Sequence, residues 1–158
     1  MKNIRQNVFE TNSSSTHSVS IVYGDKSYLT DIPKLDENGN INIESGEYGW
    51  EMHIYKGNVQ DRLSYAATYA LNYDCSYNEE KIFNYENKNL LLLIEVIKEY
   101  TGANKVIYNE NPVDGWAKHG YIDHQSEDEA ATIFESKESL EAFLFNPKSF
   151  FITDNDNH

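Results

Sequence analysis

Among its 158 residues the chain has a single cysteine, Cys75. One thiol cannot close an internal disulfide or build a multi-cysteine zinc site. Asp74 and Ser76 flank it, anionic and polar company that disfavours a thiolate nucleophile. Long apolar runs are also missing. The longest, Leu90 to Ile94, sits between Asn89 and Glu95 and falls far short of the roughly 20 residues a membrane helix needs. The first residues hold no hydrophobic signal core, so export is not expected, and the triplet Asn12-Ser13-Ser14 is then expected to carry no glycan. Positive charge is scarce: 13 Lys and Arg stand against 26 Asp and Glu, a net charge of −13. Such a field repels nucleic-acid phosphates and anionic membranes, and attracts basic grooves. Neither Gly-x-x-x-x-Gly-Lys nor Gly-x-Gly-x-x-Gly occurs, so nucleotide binding of those kinds has no support.

What is present describes one soluble, cytosolic domain. A chain of 158 residues can bury a real core but not two comfortable ones. The aromatic share of 13% comes mostly from twelve tyrosines, whose apolar body and polar tip suit half-buried strands and protein contacts alike. Up to Gly24 the charge is +1 (Lys2 and Arg5 against Glu10), so −14 falls on the remainder. One reading is that these acids keep a small protein soluble; the other is a partner with a basic surface.

Periodicity places the elements. Ser18 to Tyr23 alternates as a strand, and Asn38-Gly39 signals a tight turn between Ile32-Pro33-Lys34-Leu35 and Ile41-Asn42-Ile43, predicting a hairpin. Trp50 to Tyr55 alternates again. From Asn58, a helix cap, Val59, Leu63, Ala66, Ala67 and Ala70 recur at helical spacing. A second helix runs from Leu90 to Tyr100, capped by Asn89 or Asn87 and stopped at Gly102. Its apolar stripe is wide enough to predict the central helix of the fold. Lys105–Tyr108 and Gly120–His124 read as short strands, Ser136 caps a last helix through Phe145 before Pro147, and Phe150–Thr153 closes as a strand. The class expected is α+β: a single acidic domain over 1–158, with a mostly antiparallel sheet packed on two to three helices, a polar leader or loop over 1–17 and a polar tail over 154–158.

Several constellations invite a chemical reading. His53, His119, Asp123 and His124 could supply metal ligands, but Gly120, Tyr121 and Ile122 break any helical register between them, and no metal or cofactor is expected. The tail Asp154-Asn155-Asp156-Asn157-His158 lacks the glycine and closing glutamate of a calcium loop. Ser13, His17 and Asp123 could be drawn as a hydrolase triad, with no spacing that favours it. An ADP-ribosyltransferase would use an arginine, a small hydroxyl strand and a Gln/Glu-x-Glu pair. The counterparts are Arg5, Ser15-Thr16 and Gln125-Ser126-Glu127 or Glu127-Asp128-Glu129, although Ser15-Thr16-His17 departs from the usual Ser-Thr-Ser. The plainer account of that triplet is a short acidic helix capped by Ser126. The strongest constellation is the acidic last third, Glu127, Asp128, Glu129, Glu135, Glu138 and Glu141, with Lys137 alone among them. Acids three or four apart on a helix stand about 5–6 Å from one another, so such a face can imitate a few phosphates. With Tyr121 and Trp116 as aromatic anchors, these residues form the expected partner-binding set.

The tract Arg5-x-x-Val8-Phe9-Glu10-Thr11-Asn12-Ser13-Ser14-Ser15-Thr16-His17-Ser18 resembles the start of small proteins from phages and prophages of Firmicutes. Several small acidic phage proteins of this size are anti-CRISPRs, including inhibitors of Cas9 from staphylococci and related bacteria. The resemblance implies a role in phage–host conflict without identifying the target; with the acidic composition it leads to the expectation of a cytoplasmic inhibitor that is not an enzyme. Its partner would be the host CRISPR nuclease Cas9 or another basic nucleic-acid-binding defence protein, with no direct nucleic-acid or membrane contact. It brings no site residues with it. The alternatives are a phage enzyme such as the ADP-ribosyltransferase above, and an accessory protein of phage replication or assembly.

Overall fold

The computed structural model describes residues 15–48, 54–73, 88–109, 120–122 and 126–155. In chain order these form β1 (Ser15–Ser20), a 3-10 turn (Lys26–Tyr28), β2 (Ile41–Glu44), β3 (Glu47–Tyr48), β4 (Ile54–Lys56), α1 (Val59–Tyr73), α2 (Lys88–Thr101), β5 (Val106–Asn109), β6 (Tyr121–Ile122), α3 (Glu127–Ala131), a second 3-10 turn (Thr132–Phe134), α4 (Lys137–Phe145) and β7 (Phe150–Asn155). The class is α+β, with four α-helices among the described residues rather than two or three. The sheet expectation needs correcting as well. One three-stranded sheet, ordered β1-β7-β4, is antiparallel, but β2 pairs with β5 and β3 with β6 in parallel, so the strands are not mostly antiparallel.

The expected hairpin around Asn38-Gly39 fails for an instructive reason. The turn itself forms: Gly39 sits at φ +78, and the Asp36 carboxylate accepts hydrogen bonds from the backbone N–H of Asn38 (2.8 Å) and Asn40 (2.9 Å). However, the chain before it, with Pro33 buried, is not a strand, and β2 takes its ladder from β5 instead, Ile41 opposite Val106. The loop after α2 locks this choice, because the N–H of Asn104 donates to Gly39 O at 2.8 Å.

The leader and tail boundaries also shift. Ser15, Thr16 and His17 lie in β1 opposite Asn155, Asp154 and Thr153 of β7. Backbone pairing asks nothing of side-chain polarity, so a polar tract can complete a ladder that an alternating apolar pattern alone would end early.

Helix boundaries follow their local signals. Asn58 caps α1, its Oδ1 accepting from Asp61 N at 2.8 Å. Gly102, at φ +73, ends α2 by donating from its N–H to Lys98 O at 2.9 Å. Ser136 and Ser139 exchange side-chain-to-backbone bonds of 3.0 Å in a capping box at the start of α4. By contrast, Ser126 precedes α3 without a side-chain capping bond.

The central helix is α1, not α2. Every residue from Arg62 to Leu71 is buried, whereas α2 buries Leu90, Leu93, Val96 and Ile97 and leaves Leu91 at 45% exposure. The core is aromatic where α1 and α4 meet the sheet. Phe151 lies 4.2 Å from the Tyr65 ring and 5.5 Å from Tyr48 between centroids, with Phe143 behind at 6.2 Å. Tyr48 keeps its hydroxyl satisfied by donating to Ser64 Oγ at 2.8 Å, which in turn donates to Glu44 O. No helix of the described residues is long and apolar enough to cross a membrane.

Candidate functional site: an acid-lined cleft

At the heart of the fold a charged residue is wholly buried. Arg62 of α1 has no exposed side-chain surface, and each of its five N–H groups has an acceptor. Nε donates to Leu144 O (3.2 Å), and Nη1 donates to Gly57 O and Ser149 O. Nη2 donates to Leu144 O (3.0 Å) and to Asp31 Oδ2 (2.6 Å). The last carbonyls of a helix lack partners within it. Arg62 supplies them for α4, helped by Asp31 N–H to Phe145 O (2.9 Å) and Ser149 Oγ–H to Ala142 O (2.8 Å). This network fixes α4 against the segment that runs from β1 through Asp31.

Between that segment and α4 a cleft of about 290 Å³ opens. Gly24, Asp25, Lys26 and Leu29 form one wall, and Glu138 and Glu141 of α4 contribute to the other. Asp25 shapes its wall by capping the 3-10 turn, accepting from Ser27 N–H at 2.8 Å and from the Ser27 hydroxyl. The Ser27 hydroxyl, and then its N–H, hold the Asp25 carboxyl below the ordinary value, so it is ionised at neutral pH. The Tyr28 ring packs against Gly24, where a Cβ would come within 2.7 Å of it, yet Tyr28 remains 54% exposed.

Glu138 and Glu141 occupy one helix three residues apart, but their environments differ. Glu138 is exposed, while Glu141 is only 8% exposed. Glu141 Oε2 accepts a 2.6 Å bond from the Tyr100 hydroxyl, a length typical of a charge-assisted pair. Tyr100 stacks on Phe145 at 4.7 Å. Its pKa is pushed up first by burial, then by donating to Glu141 and by the negative charges of Glu141 and Glu99, so the phenol stays a donor. Tyr23 is raised likewise, by burial first and then by Glu135 and Glu138.

The cations nearby offset part of this charge. Lys137 Nζ lies 2.8 Å from Glu99 and 3.8 Å from Glu95 of α2, and its charge also couples to Glu141, four residues on along α4. The hydrogen bond to Glu99 raises its pKa. Lys26 lines the cleft but makes no ion pair among the described residues.

The expected partner-binding residues divide accordingly. Glu138 and Glu141 meet in the cleft, and Glu135 stands close enough to raise Tyr23. Asp128 is exposed on α3, but its neighbour Glu129 is buried at 1% and cannot belong to a solvent-facing acidic surface. Glu127 opens α3, its side chain outside the described residues. Tyr121 is half-buried in β6 opposite Glu47, and Trp116 lies outside the described residues. So do Cys75, His53, His119, Asp123, His124, Arg5, Ser13 and Gln125, together with the side chain of His17. No group of three metal-capable side chains gathers among the described residues. A second cavity, about 50 Å³ and lined by Ile43, Ala67, Leu93 and Val106 among others, is far below ligand size.

Comparison with known proteins returns nothing: no family model, no curated protein and no solved structure matches this chain. The functional reading therefore rests on the residues themselves. Sequence reasoning missed Asp25, Tyr100 and Arg62. Gly24-Asp25-Lys26-Ser27 does carry a turn signal, an Asp two residues before a hydroxyl, that could have drawn attention to the cleft wall.

Proposed function

We propose that the protein works by binding: a small acidic module that occupies a basic surface on a nucleic-acid-processing protein, and acts as a phage-encoded inhibitor of a host defence nuclease, Cas9 first among the candidates. The observation that carries this reading is the cleft between Gly24–Leu29 and α4, lined by the carboxylates of Asp25, Glu138 and Glu141 and by Lys26, with Tyr28 of the same segment 54% exposed. Acidic groups around an aromatic anchor suit a groove built to hold phosphates. The net charge of −13 steers the encounter toward such a groove and away from nucleic acid itself. Ile32 and Leu35, 37% and 41% exposed on the same segment as Tyr28, add apolar contact beside the charge.

The test is direct association of the purified protein with a purified Firmicute Cas9, followed by size-exclusion chromatography and calorimetry. A complex is expected that weakens between about 0.1 M and about 1 M salt, over which the screening length falls from roughly 10 Å to 3 Å. A complex indifferent to salt would remove charge complementarity from the account. Turnover of a substrate by substoichiometric amounts of the protein would remove the binding role itself.

A further inference from the structure

The turn before β2 holds a reactive pair of residues where a chemical change would reach the fold. Asn38 is exposed and is followed by Gly39, whose lack of a side chain leaves its backbone nitrogen unhindered. Such a nitrogen can attack the side-chain carbonyl of the asparagine before it. Asn40 and Asn42 lie in the same stretch but precede Ile41 and Ile43, whose branched side chains crowd that approach. Asn38 serves the fold through its backbone: its N–H donates to the Asp36 carboxylate at 2.8 Å, and its carbonyl accepts from Asn104 Nδ2 at 3.2 Å. No hydrogen bond among the described residues holds its carboxamide. Gly39 in turn fastens β2 to β5. Its carbonyl accepts from Asn104 N–H at 2.8 Å, next to the bond of 3.0 Å from Ile41 N–H to Lys105 O. A Cβ on Gly39 would lie 2.6 Å from Asn104 Nδ2, so the turn has little room for added atoms.

We propose that Asn38 is a self-modification site that converts without a catalyst to aspartate and isoaspartate, and that the isoaspartyl form unfastens β2 from β5. The Gly39 nitrogen, once a base has taken its proton, attacks Cγ of Asn38. A C–N bond forms, the Cγ–Nδ2 bond breaks, and ammonia leaves with a proton from water. Water then opens the five-membered imide. Breaking the bond to Cγ gives aspartate; breaking the bond to the main-chain carbonyl carbon gives isoaspartate, with the chain running through Cβ and Cγ. That path is one atom longer, and it moves the Gly39 carbonyl away from Asn104 in a turn that is already tight. Asp36 acts as a brake. In the closed turn the Gly39 N–H donates to Asp36 O at 3.0 Å, and the Asp36 carboxylate, bonded to the N–H groups of Asn38 and Asn40, opposes the loss of a proton beside it. The reaction therefore proceeds from the opened turn, a local fluctuation that an exposed loop permits. This chemistry is independent of the binding role above.

The experiment ages the full chain in mildly alkaline buffer at growth temperature, cuts it after lysine and weighs the peptide Leu35–Lys56 with its three asparagines. Isoaspartate is read by transfer of a labelled methyl group from S-adenosylmethionine by an isoaspartyl methyltransferase. A gain of one mass unit, an amide exchanged for an acid, is expected at Asn38 and not at Asn40 or Asn42. The methyl-accepting fraction should melt below fresh protein. Asn38→Asp, which carries the product's charge on an ordinary backbone, should melt close to fresh protein. Asn38→Gln, whose longer side chain closes its ring slowly, should keep both its mass and its melting temperature on ageing. Asp36→Ala should speed the conversion severalfold. No conversion of the folded chain, over a time in which the urea-unfolded chain converts fully, would overturn the site, as would equal conversion at Asn40 and Asn42. Isoaspartyl protein that melts with fresh protein would overturn the unfastening, and an unchanged rate in Asp36→Ala would overturn the brake.

Discussion

Replacing Arg62 by Met keeps the length of the side chain and removes all five donors. The carbonyl oxygens of Gly57, Leu144 and Ser149 then lose their guanidinium partner inside the protein, and Asp31 loses its ion pair. Breaking a buried pair by deleting one member costs about 3–5 kcal/mol. Asp31 keeps 33% of its side-chain surface in water, which reduces its share, while each carbonyl stranded without a donor adds about 1 kcal/mol or more. The expected loss is about 4–5 kcal/mol, a large fraction of the roughly 5–15 kcal/mol that keeps a domain folded. For a chain of this size that is a fall in melting temperature of roughly 10–20 °C. Arg62→Lys should recover only part of it, because an ammonium has three donors for acceptors arranged around a five-donor fork. Urea unfolding followed by tyrosine fluorescence, with the slope compared between variants, measures the difference. A loss below about 1 kcal/mol for Arg62→Met would refute the claim that this guanidinium holds the end of α4 to β4, α1 and the Asp31 segment.

Other consequences are as concrete. Gly120→Ala should cost at least about 2 kcal/mol by thermal unfolding, because φ is +83 there and a Cβ would lie 2.7 Å from Gly46 O, the acceptor that starts the β3–β6 pairing. Val106→Ile should raise stability by up to about 0.8 kcal/mol by placing one methylene in the 50 Å³ void under α1 and α2. Asp36 has its carboxyl held below 3.8, first by the Asn40 N–H and then by the Asn42 side chain. Its folded pKa being depressed, its contribution is present above the unfolded value and lost as pH falls through the folded one. The melting-temperature advantage of the wild type over Asp36→Asn should therefore be full at neutral pH and shrink below 3.8. Glu138→Lys should weaken the nuclease complex and lower the melting temperature only slightly, since it trades the acid in the first turn of α4 for a cation.

What could be read from the sequence was what neighbouring residues decide between themselves. Asn58, Ser136 and Gly102 cap or stop their helices through bonds that span three or four residues, and all three were legible. The Asn38-Gly39 turn was legible too, but not its use, since β2 finds its partner in β5 more than sixty residues on. The leucine-rich face of α2 suggested a central helix, yet burial depends on what surrounds an element, and α1, with its alanines and an arginine, lies deeper. The same limit hid the site. Glu138 and Glu141 look alike in sequence, and only the packing of Tyr100 and the Gly24–Leu29 wall makes one a surface acid and the other a buried carboxylate.

The central claim is that this chain acts by occupying a nuclease rather than by catalysis, and a stoichiometry measurement tests it most directly. DNA cleavage by a fixed amount of a Firmicute Cas9 is measured against rising amounts of the protein. The account predicts that activity falls in a straight line and reaches zero at a fixed small-integer ratio, with Glu138→Lys shifting the line outward. Cleavage unchanged at large excess, or abolished by a small fraction of one equivalent, would contradict it.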